Sequence, residues 1–207
     1  ASDVYKRQGL MSLGFSVVTS TLIIALAVLA LLAVSIKTLL PYANPVEGPA
    51  FAIPRGTVLT LGLICFIIFM AEGTVLDWSA LYLVESRNIP DTLGGLGFAA
   101  FATSMTIGRL TGDAIVGKYG ALKVVMAGTL IATLGFLIVI NSYTLTVVLV
   151  GYLLIGIGCA NIVPVMFSQI GKQKSMPQMV AVPAVTTLGY IGVLAGPAII
   201  GYIAHHS

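Results

Sequence analysis

Charged residues are scarce in this sequence: 10 Lys and Arg and 7 Asp and Glu make up only 8% of 207 residues. A typical soluble domain has roughly 25%. Hydrophobic residues account for 58% of the chain, more than the single core of a water-soluble protein of this length can bury. The composition therefore excludes a soluble globular domain, a disordered chain and a nucleic-acid-binding protein. It predicts an integral membrane protein whose main partner is the lipid bilayer.

Sequence motifs of catalysis and cofactor binding are also missing. The sequence contains no phosphate-binding G-x-x-x-x-G-K-[ST], no H-E-x-x-H and no G-x-S-x-G. Its two histidines are the adjacent His205 and His206, which we interpret as a solvated tail at residues 205–207. Its two cysteines, Cys65 and Cys159, lie in apolar runs and imply no disulfide framework. We therefore expect no catalytic residue, no cofactor and no metal site.

Six continuous apolar runs are present instead, each long enough for a transmembrane helix of about 20 residues. They cover residues 9–36, 57–83, 92–117, 124–140, 143–170 and 178–204. Continuous runs of this length favour helices over the shorter, alternating strands of a membrane β-barrel. The sequence therefore predicts an all-α integral membrane protein, a polytopic helix bundle.

The basic residues predict the orientation of this bundle. If the six runs alternate in direction, one side receives six basic residues with a single opposing acid, Glu47. The six are Lys37, Arg55, Lys118, Lys123, Lys172 and Lys174. Because cytoplasmic loops carry the excess of Lys and Arg, we expect loops 37–56, 118–123 and 171–177 to be cytoplasmic.

The first eight residues differ from the rest of the chain. Residues 2–8 read SDVYKRQ, which resembles a translated sequencing-adapter remnant of the kind found at broken ends of assembled sequences. We expect residues 1–8 to be a non-native leader. The chain would then be a fragment that lacks its N-terminal part.

Two acids lie within the second apolar run. Glu72 is 15 residues after its start, about 22 Å along a helix and still within the apolar slab. A carboxylate there is costly unless it faces a polar cavity or a partner, so we predict a functional acid, with a hydrogen-bonded structural residue as the alternative. Asp77, beside Trp78, is expected to be an interfacial residue or a local cap.

A second pair of charges, Arg109 and Asp113, lies near the expected cytoplasmic end of the third run. Residues four apart on a helix can meet on one face, so we expect an ion pair between them. The pair either sits at the membrane edge or acts as a charged latch at a moving helix–helix contact. Gly108 and Gly112 form a Gly-xxx-Gly motif that lets another backbone approach closely.

Uncharged polar side chains occur in the middle of the last two runs. The candidates for substrate contact are Tyr152, Asn161 and Tyr190. Each of them can equally serve as an interhelical hydrogen-bonding group. Pro164, in the fifth run, can mark a bend near a cavity.

The segment from Gly108 to Lys123 resembles the cytoplasmic loop signature of the major facilitator superfamily. The residues that fit the signature are Gly108, Arg109, Gly112, Asp113, Lys118, Gly120 and Lys123. Gly117 stands where an acid is common, and Ala121 and Leu122 replace the usual basic pair. In the family this loop joins the second and third helices of each half, and the resemblance implies a gating role for these residues.

Three further segments resemble a bacterial branch of this superfamily related to fucose permeases. They are residues 71–83, 156–168 and 187–201, which are similar to its seventh, tenth and eleventh helices. The six runs then become helices six to eleven of a twelve-helix fold. Residues 9–36 would be the last helix of the N-terminal half, 37–56 the cytoplasmic link, and 57–204 five of the six helices of the C-terminal half. The missing N-terminal half is then a partner, and the location is the bacterial inner membrane.

The resemblance implies a secondary active transporter that moves a small solute by alternating access. Since no ATP-binding motif occurs, an ion or proton gradient is the expected energy source. In the family the first and fourth helices of each half line the central cavity. Glu72, Tyr152 and Asn161 therefore become cavity candidates, with Tyr190 as a further substrate- or ion-binding candidate. Two alternatives stay open: a six-helix membrane scaffold or assembly subunit, and a membrane-embedded enzyme.

Overall fold

The computed structural model describes residues 17–36 and 53–206. The predictions for the leader at residues 1–8 and for most of the link at 37–56 lie outside the described residues. The chain divides into two compact units, residues 1–47 and 48–207, and each is described by itself.

The first unit contains one described helix, α1, at Val17–Ser35. Its apolar side chains, such as Leu26, Leu29 and Leu32, are exposed. A helix that is hydrophobic on all sides requires an apolar environment. The part at Thr21–Ser35 is apolar but shorter than a full membrane span.

The described part of the second unit, residues 53–206, contains seven α-helices. They are α2 (Thr57–Leu81), α3 (Leu96–Leu110), α4 (Gly112–Tyr119), α5 (Ala121–Asn141), α6 (Leu145–Cys159), α7 (Ile162–Ile170) and α8 (Gln178–His206). A π-helical turn, Tyr82–Ser86, continues α2, and a 3₁₀ turn, Asp91–Leu93, precedes α3. Among the residues that the structure describes, four helical stretches have the length and composition to cross a membrane: Thr57–Ser86, Ala121–Asn141, Leu145–Ile170 and Gln178–Ala204.

Three helix pairs form most of the bundle: α2 packs along α8, α3 along α6, and α5 along α6. Glycines allow these pairs to approach closely. A Cβ at Gly158 would lie 2.6 Å from the carbonyl oxygen of Gly128, and a Cβ at Gly192 would meet the carbonyl oxygen of Phe66. The glycines at 158 and 192 therefore let the paired backbones pack in close contact.

The third predicted span is not one continuous helix. It breaks at Thr111, between α3 and α4, where the backbone has φ −94° and ψ −3°. The Thr111 hydroxyl donates to the carbonyl oxygen of Ile107 at 3.0 Å and lies 3.3 Å from that of Gly108. The helical path then continues to Tyr119. Arg109 is therefore followed by about 15 Å of further helix.

The fifth predicted span breaks as well, between α6 and α7. Asn161 adopts φ −104° and ψ −5° at this point. Pro164 is the third residue of α7, a first-turn position at which a proline removes no helical hydrogen bond. The helical pattern is interrupted at the residue pair before α7, a few residues ahead of Pro164.

Two predicted loops are shorter in the structure. The loop predicted at 118–123 is reduced to Gly120, whose φ of +83° lets the chain turn between α4 and α5. Lys118 and Lys123 both lie within helices. This is compatible with their charge, because the long stem of a lysine can lie along a helix while its ammonium reaches water. Likewise, the π-helical turn to Ser86 extends the helical path beyond residue 83, where the second apolar run ends.

Candidate functional site

An acid and a base from different helices meet inside the bundle. The Arg109 Nη2 atom lies 3.6 Å from the Glu72 Oε1 atom. The Glu72 side chain is 16% exposed and that of Arg109 47%. Glu72 Oε1 is buried and has no hydrogen-bond partner. The two side chains thus form an ion pair, and the Glu72 carboxylate can still accept a hydrogen bond.

The predicted ion pair between Arg109 and Asp113 does not form. Asp113 is exposed on α4, whereas Arg109 pairs with Glu72 on α2. The prediction assumed one continuous helix, in which residues four apart lie on one face. The structure interrupts the helix for one residue at Thr111, between the two, and Arg109 contacts Glu72 instead.

Asn161 joins the two helix breaks to each other. Its Nδ2 donates a hydrogen bond to the carbonyl oxygen of Gly108 at 3.0 Å. Its Oδ1 lies against Gly112, where an added Cβ would overlap it. Asn161 itself is buried in the gap between α6 and α7. The side chain therefore holds the last turn of α3 and the first residue of α4 in one place.

Arg109 follows Gly108 directly in the chain, so the ion pair and the Asn161 contact are adjacent. Glu72, Arg109, Gly108, Gly112 and Asn161 form a continuous group, which we call the charged junction. It comprises two of the four predicted binding candidates and three of the signature residues. Contacts explain the absence of a side chain at two signature glycines, Gly108 and Gly112: a Cβ at Gly108 would lie 2.6 Å from the Cβ of Ala160, and a Cβ at Gly112 would overlap Asn161 Oδ1.

The two predicted tyrosines do not join this group. Tyr152 is buried on α6, and its ring packs against Gly97; it is about 13 Å along the helix axis from Asn161. Tyr190 is 62% exposed on α8, and its ring stacks on that of Phe69 with centroids 6.4 Å apart. The structure thus does not bring all four binding candidates into one pocket.

The remaining signature residues lie towards the end of α4 and the start of α5. The Lys118 ammonium is 5.3 Å from the centre of the Tyr119 ring. Lys123 borders a cavity of about 430 Å³ that also reaches Gly108 and Asn161. The signature therefore extends from the charged junction to the basic end of the bundle.

Sequence reasoning missed a second set of contacts, around Arg87. Its guanidinium donates to the carbonyl oxygens of Val139 and Ile140 at the end of α5 and to the hydroxyl of Tyr82. It also lies 4.6 Å from the ring centre of Tyr143. A cation is favourable at a helix C-terminus, where carbonyl oxygens lack intrahelical donors. Tyr82, Arg87 and Tyr143 all fall at the same predicted membrane boundary, and this clustering in the sequence could have indicated that they contact one another.

Within residues 17–36 and 53–206 the structure places no three His, Cys, Asp or Glu side chains together as a metal site. What it does contain is a helical membrane bundle with an ion pair at two adjoining helix breaks. These features are those of a polytopic helical membrane protein.

The chain is similar to bacterial transporters over most of its length. It is 41% identical over 199 residues to an uncharacterized MFS-type transporter of Yersinia pestis, covering 96% of this chain and 52% of that protein. It is 32% identical over 147 residues to the membrane protein MosC of Rhizobium meliloti, with 71% and 36% covered. It is 31% identical over 152 residues to the uncharacterized transporter y4wD of Sinorhizobium fredii, with 73% and 40% covered. No family model and no solved structure matches the chain.

The chain spans about half the length of the Yersinia relative, and less of the other two. Together with the four apolar helical stretches, these relatives confirm the prediction of a polytopic, all-α membrane protein. Two of the three are named as transporters and the third as a membrane protein, which supports the prediction that the chain is not an enzyme. The chain is thus a relative of MFS-type transporters.

Proposed function

We propose that this chain forms part of a major facilitator transporter that moves a small solute across the bacterial inner membrane. The observation that carries the proposal is the 41% identity to an MFS-type transporter over 96% of the chain. Residues 57–204 would be five of the six helices of its C-terminal half, of the branch related to fucose permeases. Residues 9–36 would belong to the N-terminal half, which supplies the opposite wall of the cavity.

The charged junction supports a role in energy coupling. An ionisable pair inside an apolar slab costs free energy to maintain, and such pairs commonly mark ion or substrate pathways. Addition of a proton to Glu72 would neutralise the carboxylate and release Arg109 from the ion pair. The two states of Glu72 can therefore correspond to two positions of α3 relative to α2.

The helix breaks support alternating access. Discontinuous helices in transporters lie near the binding site, where rigid segments rotate against one another. Here the breaks at Thr111 and Asn161 adjoin the ion pair, and Asn161 connects them. We infer that α4 and α7 move as one unit when the ion pair opens. An ion or proton gradient would drive this motion, with loops 118–123 and 171–177 on the cytoplasmic side.

The direct test is solute-dependent proton movement by the full-length protein. The protein would be reconstituted into vesicles that contain the pH dye pyranine, and L-fucose, other small polar solutes and amphiphiles would be added outside. A proton-coupled transporter gives a change in internal pH that depends on one of the solutes and saturates with its concentration. Vesicles without protein provide the control. Saturable solute uptake with no proton movement would retain the transporter and reject proton coupling.

A further inference from the structure

A cavity of about 430 Å³ opens beside the charged junction, at the end of the bundle that carries Lys123. We call it the Lys123 groove. Its walls come from α4, from the first half of α5 and from the end of α6, and Gly108 and Asn161 of the charged junction also border it. The groove is open on its outer side, because Tyr119 and Ile157, which line it, are 55% and 47% exposed.

The mouth of the groove is positively charged. Lys123 borders the cavity, and the Lys118 ammonium lies 5.3 Å from the centre of the Tyr119 ring, which borders it as well. Both lysines are exposed. Among the described residues that line the cavity there is no Asp or Glu, and Asp113 of α4 is not one of the lining residues. The wall therefore supplies no counter-charge for the two ammonium groups.

The interior of the groove is apolar. It is lined by side chains such as those of Ile115, Ile131 and Ile157. Asn161 also borders it, but the Asn161 Nδ2 atom already donates a hydrogen bond to the Gly108 carbonyl oxygen at 3.0 Å. A polar solute would find few hydrogen-bonding groups along this wall, whereas a hydrocarbon chain matches it.

The charge and the apolar wall follow one another along the direction that crosses the membrane. Helix α5 is long and apolar enough to span a bilayer, and Lys123 lies in its first turn. Ile131 is about 12 Å further along the helix. When Ile131 is within the hydrocarbon region, Lys123 is therefore at the depth of the lipid headgroups. A phospholipid carries its phosphate and its acyl chains in the same order.

We propose that the Lys123 groove binds an anionic phospholipid of the surrounding bilayer. The phosphate would lie between the ammonium groups of Lys118 and Lys123, and the first part of one acyl chain would lie along Ile131 and Ile157. Basic pockets between transmembrane helices bind anionic lipid headgroups in this way. A free anion would leave the apolar wall uncovered, and a neutral apolar molecule would leave the two charges unpaired. The site does not depend on the proposed transport function.

Native mass spectrometry of the full-length protein in detergent tests this proposal. The probes are phosphatidylglycerol, which has a net negative charge, and phosphatidylcholine with the same acyl chains, which is neutral overall. We expect phosphatidylglycerol to bind saturably, at a half-saturating concentration roughly tenfold below that of phosphatidylcholine. Equal binding of the two lipids would overturn the proposal. The absence of saturable binding would also overturn it, and is the result expected if another segment of the parent chain covers the groove.

Single lysine substitutions distinguish the groove from a general attraction to basic loops. Lys123→Gln and Lys118→Gln should each raise the half-saturating concentration of phosphatidylglycerol by roughly fivefold. Lys172→Gln is the matched control, because Lys172 is exposed and does not line the cavity; it should change the value by less than about twofold. If Lys123→Gln and Lys172→Gln have the same effect, the lipid binds basic loops in general and the proposal is wrong.

A further variant tests the acyl chain and keeps both lysines, so that the proposal stays testable if a lysine variant fails to fold. Ala127→Phe adds a ring at an exposed position of the groove and should weaken phosphatidylglycerol binding by roughly tenfold, as expected when a few methylene groups lose their contacts. Met126→Phe, at an exposed position that does not line the cavity, is the control. Equal binding by the two variants would contradict the placement of the chain.

A soluble phosphate could offer the lysines the same charge as a lipid headgroup. Glycerol 3-phosphate in large excess should not displace phosphatidylglycerol, because it has no acyl chain to cover the apolar wall. Displacement by glycerol 3-phosphate would identify a site for a soluble phosphate and would overturn the phospholipid assignment.

Discussion

Glu72 on α2 and Arg109 on α3 form an ion pair, with Glu72 Oε1 3.6 Å from Arg109 Nη2. The pair connects the only acid deep within a predicted span to the first charged residue of the transporter-like signature. Asn161 reaches the residue before Arg109, so that the ion pair, the signature glycines and two helix breaks form one physical unit. The predictions below follow from this arrangement.

The first prediction concerns the ion pair itself. Glu72→Gln and Arg109→Gln each leave one buried or half-buried charge without its partner, and both should lower the thermal stability of the detergent-purified protein. The double variant removes both charges and should be more stable than the sum of the two single losses predicts. Strict additivity of the two losses would show that the ion pair does not contribute.

The second prediction concerns the contact between Asn161 and Gly112. Gly112→Ala would place a Cβ onto Asn161 Oδ1, and overpacking of this kind should lower the free energy of unfolding by about 1–3 kcal/mol. Gly117→Ala on the same helix is the control, because its Cβ would meet no atom within 4 Å. Chemical denaturation of both variants provides the comparison, and equal stability of the two would contradict the described geometry.

The third prediction concerns Asn161 alone. Asn161→Ala removes the hydrogen bond to Gly108 and should cost about 1 kcal/mol, the usual size of an interhelical hydrogen bond in a membrane. In this background Gly112→Ala should become less destabilising, because the side chain that it would overlap has gone. An unchanged cost of Gly112→Ala would mean that Asn161 is not its neighbour.

The fourth prediction concerns Arg87. Arg87→Lys keeps the charge but loses the planar fork that reaches two carbonyl oxygens and the Tyr82 hydroxyl. We expect a lower melting temperature than for Arg55→Lys, because the exposed Arg55 side chain has no such contacts among the described residues. Equal melting temperatures of the two variants would show that the Arg87 contacts are not stabilising.

The fifth prediction concerns topology. Single cysteines at Asn44 and Lys172 should react with membrane-impermeant reagents only from the cytoplasm, and a cysteine at Asn88 only from outside, since basic loops are retained in the cytoplasm. The two native cysteines are buried and would be replaced by serine as a precaution. Labelling of position 44 from outside would reverse the orientation and the helix numbering.

Four of the six predicted apolar runs coincide closely with helical stretches of the described part that are long and apolar enough to cross a membrane, because a membrane span requires a long continuous apolar run. The sequence did not predict the breaks at Thr111 and Asn161. Neither residue prevents a helix locally, and the breaks become favourable only because Asn161 finds partners on another helix. Glu72 was recognised from its depth alone. Its partner Arg109 was expected to pair with Asp113 instead, since pairing between helices depends on packing that no local spacing encodes.

The measurement that tests the account most directly is the pH dependence of solute uptake by the full-length protein with Glu72→Gln. The variant keeps the size of the side chain and its capacity for hydrogen bonds but cannot gain or lose a proton. Asp91→Asn, at an exposed acid outside the apolar slab, is the control. The account predicts normal membrane abundance for both variants and wild-type uptake for Asp91→Asn. It predicts that the Glu72→Gln protein no longer accumulates solute when a proton gradient is applied. Solute accumulation would be measured between about pH 5.5 and pH 8.5, an interval that includes the range in which shifted carboxyl groups titrate. Accumulation by Glu72→Gln that equals the wild-type value throughout this interval would contradict the account.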